Sequence, residues 1–584
     1  MRKFQHILSR WQGKSKTMLH QLYSLDVSDM ADSDVPAEFA NMFAYEDYYF
    51  YFEGTGFRNT EKLFLYVVIP TFTEMVTEEN QVLYENFLLG EIAPVINGLN
   101  EEYFNQNKNS REKGHFEVQD VGECILRRSG MRYSKEWGRF VLQIHFDMPL
   151  VNALSINAKA GVRAVKDILR HVRDAVNAID EKKLEEYALV YKRQQEIRSF
   201  LHDNGLCCFV ANGSILPRQN GTQAPLPNAL PFMSPGEMEV TVPLEDGETL
   251  TGMGIPKGVT VITGGGYSGK STLLDAIELG IYNHIPGDGR EYVITDAAAL
   301  KVYAEDGRPV HNLDMTPFFK MLPGSTGVEC FSTGHASGSV SQAANIIEAV
   351  CGGCKLLLID EDKSATNFMI RDKNMRAVVK KDPIIPFTDR VRELYEVYGV
   401  SSILVIGGSS EYLAYADRVV LMEDFEASDI SDKVEELHLY RSECGEESAK
   451  MTMERRLVPR ETNQPFLYFQ TVETENERKI ILDEYSADIT LLTALITGRQ
   501  MNLLANIMEG LLTDMEADSE DVMQKIKDIL DKVLSEGKWK GNSVLPDTKR
   551  LFYEEIRPLD AFCGLSRMRG VTLHSADKED CIKQ

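Results

Sequence analysis

The chain has 584 residues, 43% hydrophobic and 26% charged, with a formal charge of −26 at pH 7. That length exceeds one compact core and implies roughly three or four domains, and no uncharged apolar run is long enough to enter and span a bilayer. The acidity excludes indiscriminate binding to nucleic acid or anionic membranes, and nine cysteines in so long a chain exclude a disulfide framework.

Residues 1–135 mix aromatic-rich strand candidates, Tyr48 to Phe52 and Leu63 to Ile69, with helical stretches. They are expected to form an N-terminal α+β region, and no catalytic constellation is visible in them. The basic N-terminus, Met1 to Trp11, lacks the apolar core and cleavage site of a secretion signal, so the expected location is cytoplasmic. The polar segment Asn105 to Gly114 reads as a surface loop. Residues 136–225 read as an accessory α/β segment. A strand at Phe140 to Phe146 is followed by a helix over Ala158 to Ile179, with Val162, Val165, Ile168, Leu169, Val172 and Val176 at helical spacing. A second helix, Glu181 to His202, ends at Asn204-Gly205, and a buried strand begins at Leu206. The stretch Pro217 to Pro235, rich in Pro, Gly and Asn, reads as a linker that opens the next domain.

Residues 226–430 carry the chemistry. Four β-favouring residues, Val259 to Ile262, run into Gly264-Gly265-Gly266-Tyr267-Ser268-Gly269-Lys270-Ser271-Thr272, where a helical pattern starts. Gly264 and Gly269-Lys270-Ser271 satisfy the spacing of a phosphate-binding loop, or Walker A motif. Glycine lets a polyphosphate approach the backbone N–H groups, and the helix N-terminus favours the anion. Lys270 is expected to reach the β- and γ-phosphates, and the Ser271 hydroxyl to ligate Mg²⁺. The plainer alternative is a glycine-rich corner with no ligand. The apolar run Leu356 to Ile359 ends in Asp360-Glu361, as a Walker B strand does, which predicts Asp360 in the Mg²⁺ shell and Glu361 as general base. Paired acids that merely end a strand are the plainer alternative here. Strands alternating with helices, several apolar throughout, predict a largely parallel sheet covered on both faces.

The remaining motifs narrow the class. Ser337-Gly338-Ser339 opens a helix upstream of Asp360 and resembles the signature motif of ABC-type ATPases, in which serine and glycine bind a γ-phosphate held by a partner subunit. Asp360 to Asn367 resembles the Walker B strand and D-loop of that class, and Ala416-Asp417-Arg418 resembles its closing strand. There are departures. Gln342 falls two positions late for the usual signature, Asn367 stands at the D-loop aspartate position, and Ile406-Gly407-Gly408-Ser409-Ser410 occupies the place of the switch histidine. Backbone N–H groups or Ser409 are the candidate substitutes. Asp314 is the nearest candidate for a Q-loop residue, and Phe232 for an aromatic residue that stacks on a base.

Cys351-Gly-Gly-Cys354 has no second ligand pair and reads as structural. Lys363 to Lys381 holds six basic residues against the single acid Asp372, and Glu423 to Ser448 holds ten acids against two basic residues. Residues 431–584 are expected to be mainly helical, with strong patterning over Ile489 to Leu512 and Val522 to Leu534.

The sequence most resembles the predicted ABC-class ATPase family of non-transporter proteins. The resemblance is carried by Phe209 to Arg218, Gly252 to Gly258, Ala304 to Arg308, Ala336 to Gly338, Ile359 to Asp362, Ala365 to Asp372, Val405 to Gly408 and Leu565 to Arg569. It is dense over 200–425, looser over 136–200 and 455–570, and poor before 136. It implies an ABC-type nucleotide-binding domain with accessory domains on either side, adenine as the base, and Gly407-Gly408 as a family trait. RNA is a ligand ascribed to some relatives, which makes the run around Arg371, Lys373 and Arg376 a candidate RNA contact; such runs ordinarily form a solvated charged face. One set of motifs per chain implies a homodimer, with ATP between Lys270 of one copy and Ser337-Gly338 of the other. The leading expectation is a Mg²⁺-dependent ATPase. The alternatives are a nucleotide-gated RNA-binding or scaffold protein with little hydrolysis, and a transporter's energising subunit, which the large flanking regions disfavour.

Overall fold

The computed structural model describes residues 1–23, 37–39, 41–54, 61–105, 114–322, 327–379, 381–439, 455–457, 471–476, 478–513, 522–536, 552–570 and 573–575. Most of the loop expected over Asn105 to Gly114, and the end of the acidic stretch that runs to Ser448, lie outside the described residues.

One compact unit comprises Met1–Ala188, Gln470–Glu473 and Leu530–Glu555. Its sheet runs in the order Phe43–Tyr45, Tyr48–Gly54, Lys62–Ile69, Arg139–Asp147, His115–Val118, and Met131–Ser134 also pairs with Arg139–Asp147. All of these pairings are antiparallel. A boundary at residue 135 would therefore cut this sheet, because Arg139–Asp147 lies among its central strands. Phe4 packs against Phe43, Phe50 and Phe52 at centroid distances of 5.3 to 5.5 Å, so aromatic residues close the core that the strands begin. The helix Gln81–Asn105 buries Leu88, Leu89, Ile92, Ala93 and Ile96 despite Pro94 in its interior. The helix Ala158–Asn177 is capped by Asn157, whose side-chain oxygen accepts from Ala160 N at 3.3 Å.

The other unit comprises Leu189–Phe469, Thr474–Ile529 and Ile556–Gln584. Its principal sheet is built from β1 (Val259–Gly264), β2 (Ala299–Val302), β3 (Leu356–Asp360), β4 (Ser401–Ile406), β5 (Arg418–Glu423) and β6 (Glu426–Asp429), in the order β2-β3-β4-β1-β5-β6. Neighbours are parallel from β2 through β5, and only β6 returns antiparallel. Leu356, Leu357, Leu358 and Ile359 are fully buried, as an apolar run in a parallel sheet requires. Helix α1 (Lys270–Leu279) follows β1, and helix α2 (Gly338–Cys351) precedes β3. A second, antiparallel sheet orders Glu239–Pro243, Thr249–Pro256, Leu206–Ala211 and Val293–Thr295.

Two expectations change here. The stretch Pro217 to Pro235 is not a linker between units but an ordered part of this one. Arg218 donates to the buried Asp288 carboxylate at 2.7 Å, Phe232 is buried, and Gly213 N donates to Phe232 O. In the C-terminal region, the helix expected from Ile489 spans only Gly498–Thr513. Ile489, Leu492 and Leu495 instead mark successive tight turns, with Leu492 N bonded to Ile489 O and Leu495 N to Leu492 O. Their three-residue spacing mimics one face of a helix. Strand Lys479–Leu482 precedes them and pairs with Tyr485–Asp488, which pairs in turn with Met568–Arg569, so the region is not mainly helical throughout.

Glu85 supplies a pH-dependent term in the first unit. Burial pushes its carboxyl up to about 7, against hydrogen bonds from Tyr133 N and Gln81 that favour the charged form. The folded state therefore holds the proton more tightly than the unfolded chain. The stabilisation is complete below about 4.5 and is lost as pH rises through about 7. Urea unfolding followed by Trp11 and Trp137 fluorescence should lose about 3 kcal/mol across this interval relative to Glu85→Gln.

Candidate functional site

The parallel register brings three strand ends together. Thr263 lies opposite Ile406, and Asp360 opposite Val405, so the loops that follow β1, β3 and β4 leave the same edge of the sheet. The loop after β1 needs glycine at two points. Gly264 has φ +144°, and a Cβ there would lie 2.2 Å from Met422 O; Gly269 has φ +98° and caps α1. A Cβ at Gly265 or Gly266 meets nothing within 4 Å. Tyr267 sits at the crest, fully exposed and left-handed at φ +62°. Ser268 Oγ donates to Gly265 O at 2.9 Å, and Lys270 Nζ donates to Gly264 O at 2.8 Å and Gly265 O at 2.6 Å. The ammonium is thus folded over the loop. Ser271 and Thr272 occupy the first turn of α1.

Asp417 anchors the other end of β1. Its Oδ2 accepts from Val259 N at 2.8 Å and from Arg392 at 2.7 Å, which gives Ala416-Asp417-Arg418 a concrete role. Lys301 on β2 ties the sheet to α1 through Asp275 at 2.6 Å and Glu278 at 3.0 Å. Burial acts to lower its ammonium, but those two carboxylates outweigh that and hold it above its ordinary value.

Ser271 Oγ lies 3.3 Å from Asp360 Oδ2, so the hydroxyl and carboxylate face one another across the gap between α1 and β3. A hydroxyl beside a carboxylate is an oxygen donor set that fits a hard divalent cation such as Mg²⁺, which takes one or two protein oxygens and fills the rest with phosphate and water. Among the described residues no group of three or more His, Cys, Asp and Glu side chains could hold a metal by itself. Glu361 follows Asp360, and its Oε2 accepts from Gly407 N at 2.7 Å and Gly408 N at 2.8 Å. Backbone amides therefore reach Glu361 from the segment that occupies the place of the switch histidine. Ser409 is instead turned to Glu411 N.

Ser337 is the N-terminal residue before α2, in extended conformation, and Gly338 begins the helix. Gln342, fully buried one turn later, is the residue that sequence reasoning undervalued. Its Nε2 donates to Ser364 Oγ at 2.9 Å, and its Oε1 accepts from Ala365 N at 2.8 Å. It thereby couples the signature-like helix to the loop after Asp360. The available signal was its position four residues after Gly338, on the same helix face.

A buried ionic cluster fixes α2 from behind. Arg308 donates to Glu348 at 2.7 Å, to Asn345 and to Ser566 O, while Arg567 reaches Glu305 and Asn345. Arg569 donates to Gly334 O and Gly307 O, both at 2.7 Å, just ahead of Ser337. Leu565 to Arg569 thus clasps the turn that leads into α2. Asp314, the Q-loop candidate, is buried and accepts from Thr316 N and Oγ1, closing its own turn. Phe232, the stacking candidate, is 4% exposed and belongs to the core. In the basic run, Arg371 pairs with Asp382 at 2.6 Å and Arg376 with Asp389 at 2.7 Å.

A parallel sheet with a glycine-rich loop and helix after one strand, and an Asp-Glu pair ending the next but one, defines the P-loop nucleoside triphosphatase class. Residues 180–457 match the family model of the ABC_ATPase P-loop domain. Over those residues the chain is similar to the P-loop domain of ABC-class ATPases. An uncharacterized protein of Methanocaldococcus jannaschii is 32% identical over 301 residues, a match that spans 48% of this chain and 64% of that relative's length. Similar solved structures include an ATP-binding cassette of an ABC transporter in its ADP conformation, at 12% identity and TM-score 0.24, which covers 39% of this chain and 93% of that one. Another, a Clostridium perfringens protein that is part of an ABC transporter complex, is 14% identical at TM-score 0.23 and covers 38% of this chain and 87% of that one. Scores this low carry no weight for function. Among the described residues no helix is long and apolar enough to cross a membrane.

The glycine requirement can be tested directly. Gly264→Ala should destabilise the protein by about 2 kcal/mol in chemical denaturation and abolish nucleotide-dependent thermal stabilisation. Gly265→Ala should leave the stability unchanged.

Proposed function

We propose that this chain is a Mg²⁺-dependent ATPase of the ABC class, in which ATP lies on the Gly264–Thr272 loop of one copy and is covered by Ser337-Gly338 of a second. The observation that carries this reading is the convergence of Lys270, Ser271, Asp360 and Glu361 at one sheet edge, with Glu361 gripped by two amides. Lys270 leaves the carbonyls of its own loop to meet the β- and γ-phosphates. Ser271 and Asp360 would hold Mg²⁺, which supplies charge neutralisation on the phosphates when bound. Glu361 Oε2 is fixed by Gly407 and Gly408, which leaves Oε1 to take a proton from the water that attacks the γ-phosphorus. The phosphorus–oxygen bond to ADP breaks as the new one forms, and phosphate departs. Closure between two copies supplies the Ser337 hydroxyl and the helix N-terminus of α2 to the γ-phosphate.

A second reading, nucleotide-gated binding with little turnover, draws on the same two amides, because a carboxylate already satisfied by two donors is a restrained base. In the basic run Arg371 and Arg376 pair with Asp382 and Asp389, which fits a solvated charged face better than an RNA contact.

Phosphate release and thermal stabilisation by Mg·ATP separate the two readings. Lys270→Ala should lose the stabilisation, and Glu361→Gln should keep it while turnover falls roughly 100-fold or more. Turnover unchanged in Glu361→Gln would remove Glu361 from the base role, and no turnover in the unaltered protein would favour the second reading. Sedimentation with and without Mg·ATP in the Glu361→Gln protein tests closure: a dimer should appear only with nucleotide.

A further inference from the structure

Phe425 is largely exposed and sits in a left-handed turn. Glu423 pairs with Glu426 across the β5–β6 hairpin, which leaves Asp424 and Phe425 as a two-residue turn with φ +49° and +69°. Such turns favour Asn-Gly, because both positions are left-handed. Phenylalanine there costs about 1 kcal/mol in backbone strain, and the side chain recovers little, being 61% exposed. Its surroundings are specific, however. β5 runs beside β1 with Met422 opposite Gly264, so the hairpin tip lies against the phosphate loop. A Cβ on Gly269 would lie 3.2 Å from Phe425 Cδ1. The aromatic ring therefore borders the backbone that is to carry the phosphates. Phe232, the stacking candidate from the sequence, is buried and cannot fill that role.

We propose that Phe425 is the stacking platform for the base of a nucleotide whose phosphates occupy the Gly264–Thr272 loop. This rests on the phosphate-loop reading above and adds to it where the base lies. A ring face reads no hydrogen-bonding edge. The site thus distinguishes a nucleotide from a bare polyphosphate, and discriminates weakly between one purine and another. Tyr267 shares the same backbone strain, but it stands within the run of amides, so changing it would disturb the phosphate cradle itself. Phe425 lies outside that run and borders it only at Gly269.

Isothermal titration of the full chain with Mg·ATP, Mg·GTP and Mg·tripolyphosphate tests the assignment. Phe425→Ala should weaken both nucleotides about tenfold and leave tripolyphosphate within about twofold, while Phe425→Tyr keeps nucleotide affinity. Unchanged ATP affinity in Phe425→Ala, with the unaltered protein binding both ATP and tripolyphosphate, would overturn the platform alone. An equal loss for tripolyphosphate would also overturn it, making Phe425 a prop for the loop. If the unaltered protein binds neither ligand, the phosphate-loop reading fails and the platform with it.

Discussion

The parallel registration of β1, β3 and β4 is the constraint on which the site depends. Hydrogen bonding of Thr263 against Ile406 and Asp360 against Val405 fixes where each chain leaves the sheet, and so decides that Lys270, Glu361 and Gly407 meet. A slip of one residue in β3 would turn Asp360 to the opposite face and carry it away from Ser271. Full burial of Leu356 to Ile359 on both faces sets that register firmly, because any slip would strand apolar side chains in poor packing. The chemistry is thus held by hydrophobic residues that never touch it.

What could be read from the sequence was what depends on neighbours along the chain. The Gly264 to Thr272 loop, the Leu356 to Glu361 strand end and the opening of α2 each carry their meaning within a dozen residues. Several partnerships escaped because they join distant positions: Gln342 to Ala365, Gly407 to Glu361, Arg567 to Glu305. Local pattern marked Gln342 and Gly407 as candidates at most, and did not say which distant residue each would meet. Two local patterns mislead in the opposite way. Prolines and glycines between Pro217 and Pro235 suggested an unstructured join, yet Arg218 and Asp288 bind the segment into the core. Ile489, Leu492 and Leu495 imitated helical spacing while forming consecutive turns.

The C-terminal clasp explains why so distant a segment as Leu565 to Arg569 shares the resemblance carried by the nucleotide-binding core. Arg308, Arg567, Glu305 and Glu348 are all largely withdrawn from water, and each cation there is matched by a carboxylate or carbonyl oxygen. Removing one member of such a cluster leaves an uncompensated buried charge, a penalty of about 3–5 kcal/mol. The segment is therefore part of the platform that presents Ser337, although more than two hundred residues separate them.

The two glycine amides that hold Glu361 differ in kind from an imidazole. A histidine changes charge at a pKa of about 6.5, so a site built on one responds to acidification of its surroundings. A peptide N–H carries no such proton to gain or lose. The donor half of this contact is written into the main chain: it does not titrate near neutral pH, and no change of side chain at Gly407 or Gly408 short of proline removes it.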